Sequence, residues 1–182
     1  MNRIESYPKL TINIVKWIKD YYFYNNIDTL VVGVSGGIDS AVVSTLCAET
    51  GLPTYVVTMP LDSKKENTEL SNLHAKELAE KYENVEILDI DLSGVFHTLI
   101  STIGLQTSKE GYTYNRDLIT NEHSNANTKS RLRMVTLYQI AGSVGGIVVG
   151  TGNKVEDYGV GFYTKYGDGG VDIAPIADLY KT

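Results

Sequence analysis

Two hydrophobic patterns alternate along the chain. In some segments apolar residues recur at helical spacing, which is typical of an amphipathic helix. In others they form short continuous runs, such as TLVVGVS at 29–35, which are typical of strands buried on both faces. These patterns predict helices at 8–24, 37–50, 63–82, 92–104 and 127–146, and strands at 29–35, 54–59, 85–91 and 147–151.

The order of these elements predicts an α/β fold, with a parallel twisted sheet and helices on both of its faces. Residues 105–125 have no clear period, and we expect a flexible loop or short helices there. From Gly152 onward the chain is rich in glycine and is expected to be irregular. No internal repeat or linker composition is found, so residues 1–182 are expected to form a single domain.

Three glycine-bearing segments follow or extend the predicted strands. They are GVSGGIDS at 33–40, GTGNKVED at 150–157 and YGDGGVD at 166–172. Ligands of parallel sheets bind beyond the carboxyl ends of the strands. We therefore expect the three segments to line one crevice.

The composition argues against several classes of protein. The net charge is -6, whereas a protein that coats nucleic acid needs an excess of Lys and Arg. Cys47 is the single cysteine, which favours a reducing compartment and a buried structural thiol over a nucleophile. There is no apolar run of membrane-spanning length and no leader pattern. We expect a cytoplasmic protein without a nucleic-acid or membrane partner.

The stretch SGGIDS at 35–40 has the chemistry of a phosphate-binding loop. Gly36 and Gly37 allow a sharp turn and a close backbone approach, and the N–H groups that open the next helix favour an anion. It is not the common nucleotide loop, because no Gly-Lys-Ser/Thr follows. Asp39 would repel phosphates unless a cation lay between them, which suggests Mg²⁺. The alternative is an ordinary Asp in the first turn of a helix.

SGGIDS resembles the pyrophosphate loop of the N-type ATP pyrophosphatases, which include NAD synthetase, GMP synthetase, asparagine synthetase and tRNA-modifying enzymes. These enzymes cleave ATP between the α and β phosphates, leave AMP on the substrate and release pyrophosphate. The resemblance implies an adenine nucleotide alpha hydrolase-like, Rossmann-like sheet. It also accounts for the absent lysine, because such a loop holds a departing pyrophosphate.

Three segments resemble ammonia-dependent NAD synthetase: NTKSRLRM at 127–134, VVGTGNKVE at 148–156 and GFYTKYGDGGVDIAPIADLYKT at 161–182. The resemblance implies amidation of nicotinic acid adenine dinucleotide, or deamido-NAD, to NAD. The carboxylate attacks the α-phosphate of ATP, and ammonia then displaces AMP. The glutamine-hydrolysing domain of longer synthetases is not seen in these residues, so ammonia is the expected donor. A homodimer is also implied.

The resemblance implies roles for individual residues. Asp39 and Glu156 match the magnesium ligands, and Asp39 and Lys181 match catalytic positions. Contacts to deamido-NAD are implied for Arg131, Lys165 and Asp172, of which Asp172 is expected to face the positive pyridinium. Contacts to ATP are implied for Gly33, Val34, Ser35, Gly36, Gly37, Ile38, Asp39, Ser40, Thr151 and Lys181.

Two other functions stay open at this point. The chain could be another N-type ATP pyrophosphatase that adenylates a different acid, or a nucleotide-binding fragment without turnover. Chains of the resembled family normally continue beyond DLYKT at 178–182, with a segment that closes over the site. We therefore expect a folded sheet that binds ATP with Mg²⁺ more weakly than a longer relative and makes little NAD.

Overall fold

The computed structural model describes residues 4, 6–108 and 111–181. The helices are α1 (Tyr7–Tyr24), α2 (Ile38–Glu49), α3 (Lys65–Lys81), α4 (Ser93–Gly104) and α5 (Glu122–Ser143). The strands are β1 (Thr29–Val34), β2 (Thr54–Thr58), β3 (Val85–Asp89), β4 (Leu105–Ser108), β5 (Gly111–Tyr114) and β6 (Gly146–Val148). A 3-10 helix at Arg116–Leu118 precedes α5, and a π-helix at Val155–Val160 follows β6. None of the helices described is long and apolar enough to cross a membrane.

Four parallel strands form the central sheet in the order β3-β2-β1-β6. Leu30 of β1 pairs with Thr54 on one side and with Ile147 on the other, so β1 lies inside the sheet. Helices connect the strands, as parallel pairing requires. The predicted α/β fold, with a parallel sheet covered by helices on both faces, is confirmed.

Side chains of β1 alternate between the two faces of the sheet. Leu30 and Val32 pack in a core with α1, α2 and α3, whereas Val31 packs in a second core with α4 and α5. All three side chains are fully buried, and burial of each contributes roughly 1.5–3 kcal/mol. The continuous apolar run in the sequence thus reflects helices on both faces.

Polar caps mark the start of two helices. Ser6 Oγ accepts a hydrogen bond from Lys9 N at 3.4 Å where α1 begins. Asn121 Oδ1 accepts one from Ser124 N at 2.8 Å where α5 begins. Asn is among the preferred residues at this position because its oxygen pairs with an N–H that the helix leaves free. As a result α5 begins at Glu122, earlier than the predicted start at 127.

The expectation of a loop or short helices at 105–125 is wrong for the first part of that range. β4 and β5 form an antiparallel hairpin in which Leu105 lies opposite Tyr114. A Cβ atom on Gly104 would lie 3.0 Å from the Tyr114 ring, so the hairpin packs tightly against the end of α4. The 3-10 helix at Arg116–Leu118 is one of the short helices that were expected.

The segment after Gly152 is more ordered than its composition suggests. It contains the π-helix Val155–Val160. Further on, Ile173 forms a parallel bridge with Val149, and Gly150 N donates to Ile173 O at 2.7 Å. The chain therefore returns along the edge of the sheet next to β6.

Candidate functional site

A cleft of about 510 Å³ opens at the carboxyl ends of β1, β2 and β6. Apolar side chains, among them Met59 and Leu137, form part of its lining. The three glycine-bearing segments meet there, since the lining includes Gly37 from the first, Thr151 from the second and Asp168 from the third. The parallel topology explains the meeting, because it places the loops after these strands at one edge.

The glycine loop is shaped by its contact with α3. Gly36 has a φ of +82°, which residues with a side chain rarely adopt. A Cβ atom at this position would lie 2.5 Å from Asn67 O. The expected sharp turn is present, and it brings the loop directly against the backbone of α3.

Ser35 and Ser40 brace the loop from within. Ser40 Oγ donates to Gly37 O at 2.9 Å and accepts from Ser35 N at 3.2 Å, and Gly37 N donates to Ser35 Oγ at 3.3 Å. The hydroxyl of Ser40, a residue for which a contact to ATP is implied, therefore bonds to the loop itself. The N–H groups in the first turn of α2 have no partner within the helix, so they are available to an anion.

Asp39, Glu156 and Lys181 meet at one point of the cleft. Lys181 Nζ lies 2.9 Å from Asp39 Oδ2 and 3.0 Å from Glu156 Oε1. The hydrogen bonds to these two carboxylates raise the pKa of Lys181, so its ammonium group stays charged at neutral pH. Residues from α2, the π-helix and the last described turn of the chain thus form one network.

Asn153 fixes the turn that carries Glu156. It is 1% exposed, and its Oδ1 accepts hydrogen bonds from Val155 N at 3.0 Å and from Glu156 N at 3.1 Å. Its backbone oxygen accepts one from Asp157 N at 3.0 Å. The Nδ2 atom of Asn153 has no hydrogen-bond partner among the residues that the structure describes. Asn153 therefore acts as the cap of the π-helix.

Asp157 brings a further carboxylate to the cleft. Burial raises the pKa of Asp157, and the neighbouring carboxylates of Glu156 and Asp168 raise it further. The Asp157 carboxylate lies where a Cβ atom on Gly152 would be, so this arrangement requires glycine at 152. This part of the cleft is acidic and favours a cation.

Asp39 and Glu156 are the residues that could hold a divalent cation. Both carboxylates are within hydrogen-bond distance of the same Lys181 nitrogen, so in this structure an ammonium group lies between them. Within the described ranges no group of three or more metal-ligating side chains is found. Mg²⁺ is bound in such sites by one or two carboxylates, with water and phosphate oxygens completing its shell, and this donor set fits it.

Most of the residues expected to contact ATP belong to the cleft wall. Gly36 lies against α3, and Ile38 is 63% exposed; neither lines the cleft. The expected residues that do line it are Gly33, Val34, Ser35, Gly37, Asp39, Ser40, Thr151 and Lys181.

The three residues expected to contact deamido-NAD lie outside the cleft wall. Arg131 Nε donates to Lys165 O at 3.1 Å, which brings these two exposed residues together. Asp172 is held by the protein, because Oδ1 accepts from the Tyr138 hydroxyl at 3.0 Å and Oδ2 accepts from Val148 N at 2.7 Å. Burial and the Asp172 carboxylate raise the pKa of Tyr138 to about 12, so the hydroxyl remains a donor.

Arg133, for which the sequence implied no role, also lines the cleft. Arg133 is half-buried, whereas Arg131 is exposed. The helical spacing of apolar residues could have identified Arg133 as a cleft residue, because it adjoins the buried Met134 and precedes the buried Leu137 by one turn. A polar residue on the apolar stripe of a helix is a candidate for a site.

Asp168 ties the third glycine segment to α5. Its Oδ1 accepts hydrogen bonds from Ser130 Oγ at 2.8 Å and from Thr164 N at 2.9 Å. Both Asp168 and Ser130 line the cleft. The pair therefore holds the loop at 164–170 beside the site.

Comparison with known proteins supports the resemblance found in the sequence. The NAD synthase family profile matches residues 10–182. The NH₃-dependent NAD⁺ synthetase of Methanosarcina acetivorans is 35% identical over 97% of this chain, which covers 64% of that relative.

Two solved structures are similar over nearly the whole chain. NMN synthetase from Francisella tularensis has a TM-score of 0.82 and 30% identity, with 98% of this chain and 67% of that one covered. NH₃-dependent NAD synthetase from Campylobacter jejuni, in complex with the nitrate ion, has a TM-score of 0.80 and 30% identity, with 97% and 69% covered. This chain spans about two thirds of the length of these relatives. By sequence and by structure, the chain belongs to the NAD synthase family.

Proposed function

We propose that this chain uses ATP and ammonia to amidate deamido-NAD to NAD, with release of AMP and pyrophosphate. The observation that carries the proposal is the network of Asp39, Lys181 and Glu156 beside the glycine loop. It combines two carboxylates suited to Mg²⁺ with a cation suited to phosphate. Family membership supports the same reaction.

The residues of the chain bind and orient the reactants in this reaction. The N–H groups at the start of α2 and the Lys181 ammonium hold phosphate oxygens. Asp39 and Glu156 would hold Mg²⁺, which would supply charge neutralisation at the phosphates. A substrate carboxylate oxygen bonds to the α-phosphorus while the bond to the bridging α–β oxygen breaks, and pyrophosphate leaves. Ammonia then bonds to the acyl carbon, loses one proton, and displaces AMP.

The products test this proposal. The chain is incubated with ATP, Mg²⁺, ammonium and deamido-NAD, and AMP, pyrophosphate and NAD are measured together. We expect equal AMP and pyrophosphate, and NAD only when ammonium is present. ADP and orthophosphate as primary products, in a preparation free of contaminating ATPase, would contradict it. Release of AMP with a different carboxylate alone would favour another pyrophosphatase of this superfamily.

A second candidate substrate is the mononucleotide, nicotinic acid mononucleotide. One structurally similar protein is an NMN synthetase, at 30% identity over 98% of this chain. The chemistry at the carboxylate is the same for both substrates, so the reacting residues do not distinguish them. The ratio of kcat/KM for the dinucleotide and the mononucleotide decides between them, and we expect the dinucleotide to be preferred.

A homodimer is part of the proposal. Exposed apolar residues lie on α4, the β4–β5 hairpin and the 3-10 helix, and α4 contacts both β4 and the 3-10 helix. We call this surface the hairpin face, and its exposed apolar residues are Val95, Ile103, Leu105, Tyr112, Tyr114 and Leu118. Monomeric proteins rarely expose large contiguous apolar patches, so a second copy of this chain is the proposed occupant.

A cytoplasmic location is also proposed. Cys47 is free and buried, and burial raises the pKa of its thiol to about 12. The thiolate is the reactive form of cysteine, so this thiol is inert as a nucleophile. A free cysteine of this kind is consistent with a reducing compartment.

A further inference from the structure

Arg133 reaches the cleft from α5 and is anchored beside β2. Its Nε atom donates to Met59 O at 3.2 Å, and its Nη2 atom donates to Ser63 Oγ at 3.3 Å. Both acceptors lie just beyond the carboxyl end of β2. These bonds fix the guanidinium group and leave several of its five N–H donors unused.

The charge of Arg133 is not neutralised by the protein that surrounds it. None of the ion pairs formed by the described residues includes Arg133. Burial lowers the pKa of Arg133, the direction expected when a cation loses water without gaining a carboxylate. A partly buried cation of this kind is stabilised by an anionic ligand.

Lys181, a second cation of the cleft wall, is placed differently. It lies between two carboxylates that follow β1 and β6. Arg133 lies near β2, where α3 contributes the neutral side chains of Asn67, Thr68 and Ser71 to the cleft. An uncompensated positive charge therefore marks the β2 side of the cleft.

Arg133 also lies at the level of the glycine loop. A Cβ atom on Gly33 would be 3.3 Å from Leu137 Cδ1, so Leu137 packs beside the end of β1. Arg133 precedes Leu137 by one helical turn, roughly 6 Å along the axis. Because α5 leads into the parallel strand β6, it runs antiparallel to β1, and an earlier residue lies further beyond the strand end. That position is beyond the carboxyl end of β1, where the glycine loop begins.

We propose that Arg133 binds a phosphate group of ATP, as a further substrate-contacting residue on the β2 side of the cleft. This inference rests on the proposed function, because it takes ATP to be the ligand. Met59 O and Ser63 Oγ hold the planar guanidinium so that its remaining donors form a fixed fork, which suits phosphate oxygens. Lysine would keep the charge but lose both the fork and the double anchoring.

Binding measurements on the whole chain test the inference. Arg133→Gln and Arg133→Lys are compared with the unaltered chain and with Arg116→Gln, which removes the same charge outside the cleft. Titration calorimetry measures affinity for ATP with Mg²⁺, for pyrophosphate and for adenosine. For Arg133→Gln we expect affinity for ATP and pyrophosphate to fall about tenfold or more, while adenosine affinity and the Arg116→Gln variant stay unchanged. The affinities of Arg133→Lys for ATP and pyrophosphate should lie between those of Arg133→Gln and those of the unaltered chain.

The possible outcomes separate the explanations. Unchanged ATP affinity in Arg133→Gln would overturn the inference. An equal loss for adenosine and ATP would also overturn it, because that is expected of a residue that only holds Met59 and Ser63 in place. If Arg133→Gln does not fold, Arg133→Lys decides by the same comparison of ATP with adenosine. Failure of the unaltered chain to bind ATP would defeat the proposed function itself, whereas a failure confined to Arg133 leaves that function intact.

Discussion

Lys181 holds two acidic side chains together that would otherwise repel each other. Its ammonium group lies within 3.0 Å of a carboxylate oxygen of both Asp39 and Glu156. The three residues are far apart in sequence, so the folded chain has to bring them to one point. The Lys181 ammonium group lies between the two carboxylates and reduces their mutual repulsion.

If Asp39 and Glu156 share Mg²⁺, replacing either with its amide should damage the chemical step. A loss of about 3 kcal/mol of charge stabilisation slows the reaction roughly a hundredfold. Asp39→Asn combined with Glu156→Gln should cost less than the sum, because one ion is lost only once. The rate of AMP release measures each effect, and Glu83→Gln, at an exposed position, is the control. Full turnover of either single variant at limiting Mg²⁺ would refute the shared ion.

The arginines of α5 show how far residue-level prediction reached. Motif resemblance selected Arg131, which the structure places on the surface with its Nε on Lys165 O. Arg133 faces the cleft because it shares the buried stripe with Met134 and Leu137. Asp39, Glu156 and Lys181 could be named from motifs. Their common meeting point and the capping role of Asn153 depend on the fold of the segment after β6, which the sequence does not reveal.

At the scale of elements, the glycine loop and α3 constrain each other through Gly36. Alanine at 36 should be unfavourable for two reasons, its φ of +82° and the closeness of Asn67 O to the added Cβ. Gly51 allows the cost of the positive φ to be measured alone, since its φ is +69° and nothing lies within 4 Å of an added Cβ. Gly51→Ala should lower the free energy of unfolding by about 1–2 kcal/mol.

Gly36→Ala should lower the free energy of unfolding by more than Gly51→Ala does, and it should also weaken ATP binding. The added methyl group forces either the loop or the first turn of α3 to move. Urea unfolding of both variants measures the two stabilities, and calorimetry measures the affinity for ATP. Equal destabilisation of the two variants would mean that the contact with Asn67 does not constrain the loop.

His74 couples α3 to α2, the helix that follows the glycine loop. Its Nε2 lies 2.9 Å from Ser44 Oγ, and Ser44 is fully buried. Burial lowers the pKa of His74 below its ordinary value of 6.5, although the Glu77 carboxylate acts in the opposite direction. A histidine with a depressed pKa favours the folded state when neutral. Its contribution is therefore present above pH 6.5 and is lost as the pH falls through the folded-state pKa.

The chain should accordingly lose stability as the pH falls below 6.5, the ordinary pKa of His74. In His74→Gln this loss should be smaller, because glutamine does not titrate and keeps a polar group near Ser44. Thermal unfolding at a series of pH values measures the difference. His123→Gln, at an exposed histidine, is the matched control and should follow the unaltered chain. If the stability of His74→Gln falls with pH as much as that of the unaltered chain, the titration of His74 does not cause the loss.

The elements that sequence reasoning recovered are those with a strong hydrophobic period. β1, β2 and the helices around them are covered by core on one or both faces, and this burial leaves a readable pattern. The β4–β5 hairpin leaves no such pattern in the sequence, because the described side chains of β5 are all exposed. The π-helix at Val155–Val160 has no buried residue and starts from the Asn153 cap. Both elements lie outside the core, so the spacing of apolar residues in the sequence does not predict them.

At the scale of the whole molecule, the sheet gathers the site on one edge and leaves an apolar surface elsewhere. The cleft lies beyond the carboxyl ends of the strands, whereas the hairpin face is formed by α4, the hairpin and the 3-10 helix. α5 links the two, since Arg133 and Leu137 line the cleft while α5 also contacts α4. A second copy packed on this face would thus be connected to the cleft through α4 and α5.

The dimer proposal predicts that a charge on the hairpin face separates the two copies. Leu105 and Ile12 are both exposed apolar residues, but Ile12 lies on α1, away from that face. Leu105→Glu should therefore weaken dimerisation at least about tenfold, because it would bury an unpaired carboxylate in an apolar interface, whereas Ile12→Glu should not. Analytical ultracentrifugation over a range of concentrations measures both. A monomeric unaltered chain, or equal association of the two variants, would show that the hairpin face is not the interface.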